Sequence, residues 1–342
     1  MMRQQDIENL VLWYQKNKRD LPWRHTKDAY KIWISEIMLQ QTRVEAVKRY
    51  YEVFLKSLPT VYDLAQVSDD ELLKLWEGLG YYSRARNLKK CASELVRSYQ
   101  GVLPDDEKEL LSLPGIGEYT AGAILSIAYL KPVPAIDGNV MRVLSRVYED
   151  ERDMLSSQVR KEYSEILRKF IKKYPPNDFT QSFIELGAVV CVPNGTPLCE
   201  ECPLKRCCKA HRHHKELLYP LKSVKKPRRI ISKTVFVFEY CGRYSILKKE
   251  EGLLSGTYEF PNVDEKMCQD DVKKYLAQQE CSFSKIVFLG EFKHIFSHLE
   301  WHMNAYVISL QKPFKDYLYV GLEEIKMNYS IPSAFQKILE KI

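Results

Sequence analysis

Apolar residues recur at every third or fourth position from residue 6 to about 210, the period of an amphipathic helix. Ile7, Leu10, Val11 and Tyr14 trace one such face, with Asp6 as the expected helix cap. The same pattern predicts helices over 29–42, 45–57, 69–77, 83–99, 118–129, 138–148, 157–173 and 178–190. Short Pro/Gly turns such as Leu113-Pro-Gly-Ile-Gly117 separate them. A basic stretch follows, His211-Arg-His-His-Lys-Glu and Lys222-Ser-Val-Lys-Lys-Pro-Arg-Arg229. Beyond it the period shortens to two: Thr234-Val-Phe-Val-Phe-Glu-Tyr240 and Tyr244-Ser-Ile-Leu247 read as strands around a Gly242 turn. A helix at 269–279 and strands at 284–296 and 301–310 complete the pattern. The predicted organisation is a helical domain over 1–212, a basic linker over 213–230 and an α+β domain over 231–342.

The chain's 342 residues suit two domains, and a hydrophobic content of 45% suffices for two cores. No apolar run approaches the roughly 18 residues of a membrane span, and the first residues lack the pattern of a secretory leader. The expected location is therefore the cytoplasm. There thiols stay reduced, so the nine cysteines are not expected to form a disulfide set. Five of them fall between 191 and 208, which favours a metal centre. The net charge of +7 suits a polyanionic partner.

Three motifs carry chemistry. In the Leu113–Gly117 turn, Gly115 and Gly117 are expected to allow positive φ and to leave backbone N–H groups pointing outward at a helix start, a ready phosphate site. Cys191, Cys199, Cys202 and Cys208 can converge on one inorganic centre, and their residue types leave zinc and an iron–sulfur cluster both open. Glu36 shares a helix face with Ile32, Trp33 and Leu39, so its carboxyl should resist ionisation. Asp137, in Asp137-Gly-Asn139 before Val140-Met-Arg-Val-Leu144, should cap a helix and stay ionised. Two carboxyls in unlike environments can divide the work of cleaving a glycosidic bond.

The hairpin, Asp137-Gly-Asn139 and the cysteine loop resemble the helix–hairpin–helix DNA glycosylase superfamily. Within it, Ser35-Glu-Ile-Met-Leu-Gln-Gln-Thr42 and Gly78-Leu-Gly-Tyr-Tyr-Ser-Arg-Ala-Arg-Asn87 resemble the adenine DNA glycosylase family of the MutY type. The resemblance implies a mainly α N-terminal glycosylase domain with an iron–sulfur loop and an α+β, Nudix-like C-terminal domain. It implies base excision repair by a monomer on double-stranded DNA, with removal of adenine opposite 8-oxoguanine or guanine, in the cytoplasm and on the nucleoid. Glu36 would protonate adenine, Asp137 would stabilise the oxocarbenium-like sugar, and Tyr119 and Asn139 would support them. Strand-cutting relatives such as endonuclease III carry a lysine where this chain has Tyr119, and a phenol cannot form an imine. A monofunctional enzyme is thus expected. Gln41 and Tyr81 match positions that enter the base stack when the nucleotide flips, and Glu185 lies near the pocket or is structural.

For the cysteines the resemblance implies a 4Fe–4S cluster. The first gap is one residue longer than the commonest family spacing, and Cys207 beside Cys208 leaves the fourth ligand open, with Cys208 the better fit. Residues 231–342 lack the Glu-rich magnesium box of Nudix hydrolases after Tyr258-Glu-Phe-Pro-Asn262. Phe296-Ser-His298 resembles the loop that senses 8-oxoguanine, where the Ser297 hydroxyl can accept the N7 hydrogen that guanine lacks, beside His298. His294, His298 and His302 are expected around a hairpin rather than on a metal. Two alternatives stand beside this reading: a bifunctional endonuclease III-like glycosylase, and a non-enzymatic DNA-binding protein stapled by zinc.

Overall fold

The computed structural model describes residues 2–223 and 227–342. Part of the expected basic linker, residues 224–226, lies outside the described residues. The described residues form two compact units, one from 2–65 and 87–223, the other from 66–86 and 227–342. Residues 66–86 thus join the C-terminal unit although the sequence places them among the helices.

The first unit is helical. It contains α1 (Gln4–Asn17), α2 (Ala29–Leu39), α3 (Val44–Ser57), most of α4 (Val61–Gln66) and of α6 (Ser83–Tyr99), α7 (Glu107–Ser112), α8 (Glu118–Ala123), α9 (Gly138–Tyr148), α10 (Ser157–Ile171), α11 (Pro176–Val189) and α12 (Lys209–Arg212). The apolar face read from Ile7, Leu10 and Val11 is buried against Val140, Leu144, Phe183 and Leu186. Asp6 is not the cap of α1. It sits one turn inside, where its carboxylate accepts the Arg3 backbone N–H at 2.7 Å and so moves the helix start upstream. Helix α2 ends at Leu39, short of the expected residue 42, because Gln41 turns into the left-handed region at φ 57°. The predicted 118–129 helix widens after α8 into a π-helical turn, Ile124–Ala128.

The hairpin joining α7 to α8 uses its two glycines differently. Gly115 has φ 77°, and a Cβ there would lie 2.8 Å from Asn87 Cβ. Gly117, by contrast, is extended at φ −100° and ψ 178° because it is the N-cap of α8. The expected positive φ is therefore found at Gly115 alone of the pair.

The second unit is a mixed sheet with helices on both faces. It comprises α5 (Asp69–Leu75), β1 (Arg229–Tyr240), β2 (Arg243–Lys248), β3 (Tyr258–Glu259), β4 (Asn262–Val263), α13 (Gln269–Gln278), β5 (Phe283–Ile295), β6 (Leu299–Leu310), β7 (Leu318–Val320), α14 (Leu322–Asn328) and α15 (Ser333–Leu339). The strand order is β3-β2-β1-β6-β5, with β4 on β1 and β7 on β2. Strands β1 and β6 run parallel, and the other pairs are antiparallel. Alternation along β1 sends Val235 and Val237 towards Phe335 and Ile338 of α15, and Phe236 and Phe238 towards the α13 side with Val272 and Leu276. Strand β1 starts at Arg229, so the last residues of the expected linker are already sheet. No helix among the described residues is long and apolar enough to cross a membrane.

Gly115→Ala should destabilise the first unit by about 1–2 kcal/mol from its left-handed backbone alone, with the Asn87 contact adding to it. Denaturant unfolding of the variant against the parent measures the loss.

Candidate active site

A cleft of about 660 Å³ opens in the first unit between α2, α8, α9 and α11, walled in part by Trp23, Glu36, Gln41, Tyr119, Asp137 and Asn139. Glu36 is buried on α2, and the Tyr119 hydroxyl on α8 donates to its Oε2 at 2.5 Å. Burial pushes the Glu36 carboxyl up to about 7, with the Asp137 charge adding to it and the Tyr119 bond and Arg24 opposing it. Burial and the neighbouring carboxylates hold the Tyr119 phenol well above its ordinary range, so it stays a donor.

Asp137 is the N-cap of α9: its Oδ1 accepts the Val140 N–H at 2.8 Å, and its Oδ2 accepts from Asn139 Nδ2 at 2.6 Å. Burial nevertheless raises its carboxyl, and the Val140 and Asn139 donors with the Arg142 charge offset only part of that. The cap expected of Asp137 is thus present, and burial acts against it on the carboxyl.

Sequence reasoning missed the basic wall of the cleft, Arg19, Arg24, Arg142 and Arg160. In sequence they look like solvated charges, and no spacing marks them. Glu185 is fully buried behind them. It receives Arg19 Nε and Nη2 at 2.9 Å each, the Arg19 N–H at 2.9 Å and Arg24 Nη2 at 2.7 Å. Burial would raise its carboxyl, yet these donors hold it at about 2. Arg24 Nε also donates to Gln181 at 3.1 Å, a further residue of the wall.

Arg142 connects this cleft to the cysteine loop. Its Nη2 donates to Asn139 Oδ1 and to the Gly187 carbonyl, each at 2.8 Å, and its Nε to the Cys191 carbonyl at 2.8 Å. A Cβ at Gly187 would come within 2.6 Å of Asn139 Cβ, so only glycine lets α11 approach there.

Cys191, Cys199, Cys202 and Cys208 line one small cavity with the apolar side chains of Val143, Leu186, Val190 and Leu204. Cys207 points elsewhere, its Sγ donating to the Leu204 carbonyl at 3.3 Å within the core. Arg146 Nη1 donates to Cys191 Sγ at 3.1 Å. Burial pushes Cys199 up to about 11 and Cys202 up to about 12, so these thiols need a cation to ionise. This donor set fits a partly buried four-thiolate centre. His211 and Glu216 add nitrogen and oxygen near Cys199, the ligand atoms of all three lying within 4.8 Å of one another.

The remaining predicted residues fall in both units. Gln41, exposed in its left-handed turn, lines the cleft. Tyr81 belongs to the second unit, 44% exposed and left-handed at φ 47°. Ser297 and His298 are exposed at the β5–β6 turn of that unit, with Ser297 Oγ 3.3 Å from His298 Nδ1. His294 lies on β5 and His302 on β6, as expected of a hairpin.

An acid and a capped carboxylate beside a helix–hairpin–helix define the class. The model of the HhH-GPD superfamily of base excision DNA repair proteins matches residues 34–169, and a NUDIX domain model matches 234–341. The chain is 37% identical over 316 residues to the adenine DNA glycosylase of Buchnera aphidicola subsp. Baizongia pistaciae (strain Bp), covering 89% of this chain and 86% of that relative. It belongs to the adenine DNA glycosylase family, MutY type, and is a base excision repair hydrolase. Its fold resembles a thermostable thymine-DNA glycosylase at TM-score 0.55 and 29% identity, over 60% of this chain and 95% of that one. It also resembles endonuclease III in a non-covalent DNA complex, at TM-score 0.51 and 25% identity, over 63% and 99% of the two chains.

Glu185→Ala should leave two guanidinium groups without their anion and cost about 3 kcal/mol, the low end for a broken buried pair, since the Arg19 side chain is 35% exposed. Thermal unfolding at neutral pH checks it; an unchanged midpoint contradicts it. Because the Glu185 carboxyl is held at about 2, its contribution should persist above the unfolded carboxyl range and vanish as pH falls towards 2.

Proposed function

We propose that this enzyme hydrolyses the N-glycosidic bond of adenine opposite 8-oxoguanine, or guanine, in duplex DNA, without cutting the strand. The supporting observation is the pair of unlike carboxyls in one cleft. Glu36 is buried and hydrogen-bonded to Tyr119, and Asp137 is held by Asn139 and the start of α9. As the bond from sugar C1′ to adenine breaks, its electron pair leaves with the base, and Glu36 delivers a proton to a ring nitrogen. The cationic sugar that remains faces Asp137, whose ionised form it favours. Water then adds to C1′ and gives up a proton, leaving an abasic site. Tyr119 orients Glu36 and offers no amine, which supports a monofunctional reaction.

Gln41 and Tyr81 are assigned to the gap left by the flipped nucleotide. Gly115 and Gly117 are assigned to phosphate contact at the hairpin, and Ser297 and His298 to the opposite base. In this reading residues 1–212 serve catalysis and 231–342 lesion recognition, with 66–86 belonging to the second compact unit, and the enzyme works as a monomer in the cytoplasm. Cys191, Cys199, Cys202 and Cys208 would hold a 4Fe–4S cluster, which supplies a rigid cross-link for the loop. Zinc is the second reading, favoured by His211 and Glu216 beside Cys199. Iron and sulfide content with thiolate-to-iron absorption supports the cluster, whereas stoichiometric zinc in a colourless protein supports the alternative.

Single-turnover adenine release from a duplex holding adenine opposite 8-oxoguanine, with adenine opposite thymine as control, tests the reaction. Strand breaks are expected only after alkali and only in the lesion duplex. Breaks without alkali would favour the bifunctional alternative, and tight binding with no release the non-enzymatic one. Glu36→Gln should slow release by about 10²–10⁴-fold, the usual span for a general acid, and Asp137→Asn should bind the mispair without releasing base.

The pH profile should be bell-shaped. Activity falls as pH rises through about 7, where Glu36 loses its proton, and falls in acid as Asp137 gains one. Tyr119→Phe removes a bond that favours ionised Glu36, so its alkaline limb should move to higher pH. A shift to lower pH would refute that assignment.

A further inference from the structure

Residues 66–86 carry Tyr81, and they are fastened to the C-terminal part of their unit by a set of directed bonds. Lys74 Nζ donates to the Lys326 carbonyl at 2.6 Å and the Tyr329 carbonyl at 3.0 Å, at the C-terminal end of α14, a favourable place for a cation. It also donates to Glu77 Oε2 at 2.6 Å. The other oxygen of Glu77 accepts the Ile331 N–H at 2.8 Å and Gln336 Nε2 at 2.9 Å. Asp70 accepts from Lys248 at 2.6 Å and from the Tyr258 hydroxyl at 3.2 Å.

The turn after Glu77 has little freedom. Gly78, Gly80 and Tyr81 are all left-handed, at φ 93°, 69° and 47°. Buried Trp76 donates to the Gly80 carbonyl at 3.1 Å, and Arg84 Nη2 donates to Leu79 and Gly80 at 2.9 and 3.1 Å. The Arg84 guanidinium also lies 5.2 Å from the Trp76 ring and 5.8 Å from the Tyr81 ring. On its other side Gln336 belongs to α15, whose Phe335 ring lies 5.9 Å from Trp301. Trp301 in turn lies 4.8 Å from Phe296, which leads into Ser297 and His298. Ring contacts from Phe296 through Trp301 to Phe335, the next residue Gln336 and its bond to Glu77 therefore link the β5–β6 turn to the start of the Tyr81 turn.

We propose that Lys74 and Glu77 are positioning residues that clamp the Tyr81 turn to the C-terminal fold, so that contact of Ser297 and His298 with the opposite base sets how Tyr81 enters the DNA stack. This rests on the reading of Tyr81 and Ser297 given above. Discrimination between lesion and normal base then belongs to one body that carries both the sensor and the wedge.

Two measurements separate the inference from that reading. First, amide hydrogen exchange of the free full-length enzyme needs no assumption about DNA. Glu77→Ala and Lys74→Met should speed exchange in 78–82 and in 329–336 together while leaving 138–148 unchanged. Unchanged exchange at 78–82 in both variants would overturn the clamp. Second, single-turnover rates are taken for adenine opposite 8-oxoguanine and opposite guanine in Glu77→Ala, Glu77→Gln, Ser297→Ala and the Glu77→Ala/Ser297→Ala double variant. Glu77→Ala should lower the ratio of the two rates by about two- to thirty-fold, the range for residues that couple sites. Glu77→Gln should recover part of it, since its amide oxygen still accepts the Ile331 N–H. Ser297→Ala should add little in the Glu77→Ala background. Additive losses, or an unchanged ratio in Glu77→Ala, would sink the coupling. If Ser297→Ala alone leaves the ratio unchanged, the assignment of Ser297 fails, and with it the coupling, while the clamp stands or falls on exchange.

Discussion

The close approach of α9 and α11 at Gly187 is the constraint on which the first unit's chemistry depends. With no Cβ on Gly187, Asn139 can pack directly against α11. Asn139 then has both ends of its amide engaged, one on Asp137 and one on Arg142. Arg142 also donates to the Gly187 and Cys191 carbonyls. One contact therefore fixes the direction of a candidate catalytic carboxylate and the point where the cysteine loop leaves its helix. A loosely packed junction would leave Asp137 free to rotate, and a misplacement of about an ångström at a reacting centre is expensive in rate.

The three carboxyls show how partners, more than burial, decide charge. Glu36 and Glu185 are both removed from water, yet one rises to about 7 and the other is held at about 2. Glu36 has a single neutral hydrogen-bond donor in Tyr119 and a negative neighbour in Asp137. Glu185 has two guanidinium groups and a backbone N–H. The first is suited to carry a proton at neutral pH, while the second anchors the basic wall of the cleft. Asp137 lies between them in kind, capped and hydrogen-bonded but still raised by desolvation.

The second unit assigns its sheet faces by the same economy of local pattern. Alternation along β1 places aliphatic residues under α15 and aromatic ones on the side of α13. Short helices α14 and α15 escape the sequence reading because seven residues span too few turns for a period to emerge. Their contribution is positional: the end of α14 and the start of α15 present the carbonyls and N–H that receive Lys74 and Glu77.

Local signals in the chain sufficed for the long helices, the strands of β1, β5 and β6, the hairpin and the apolar setting of Glu36, because period, turn residues and capping patterns act over a few residues. Glu36 among apolar neighbours, Asp137 before a helix and four clustered cysteines were legible for that reason. Cys208 was already the better fit than Cys207 in the sequence, whereas the arginine wall, the burial of Glu185 and the allegiance of residues 66–86 were decided only by tertiary structure. Each depends on side chains far apart in sequence meeting in space: Arg19 with Glu185, Arg142 with Cys191, Glu77 with Ile331. No local pattern encodes such meetings, since an exposed arginine and a buried one look alike until the chain has packed around them.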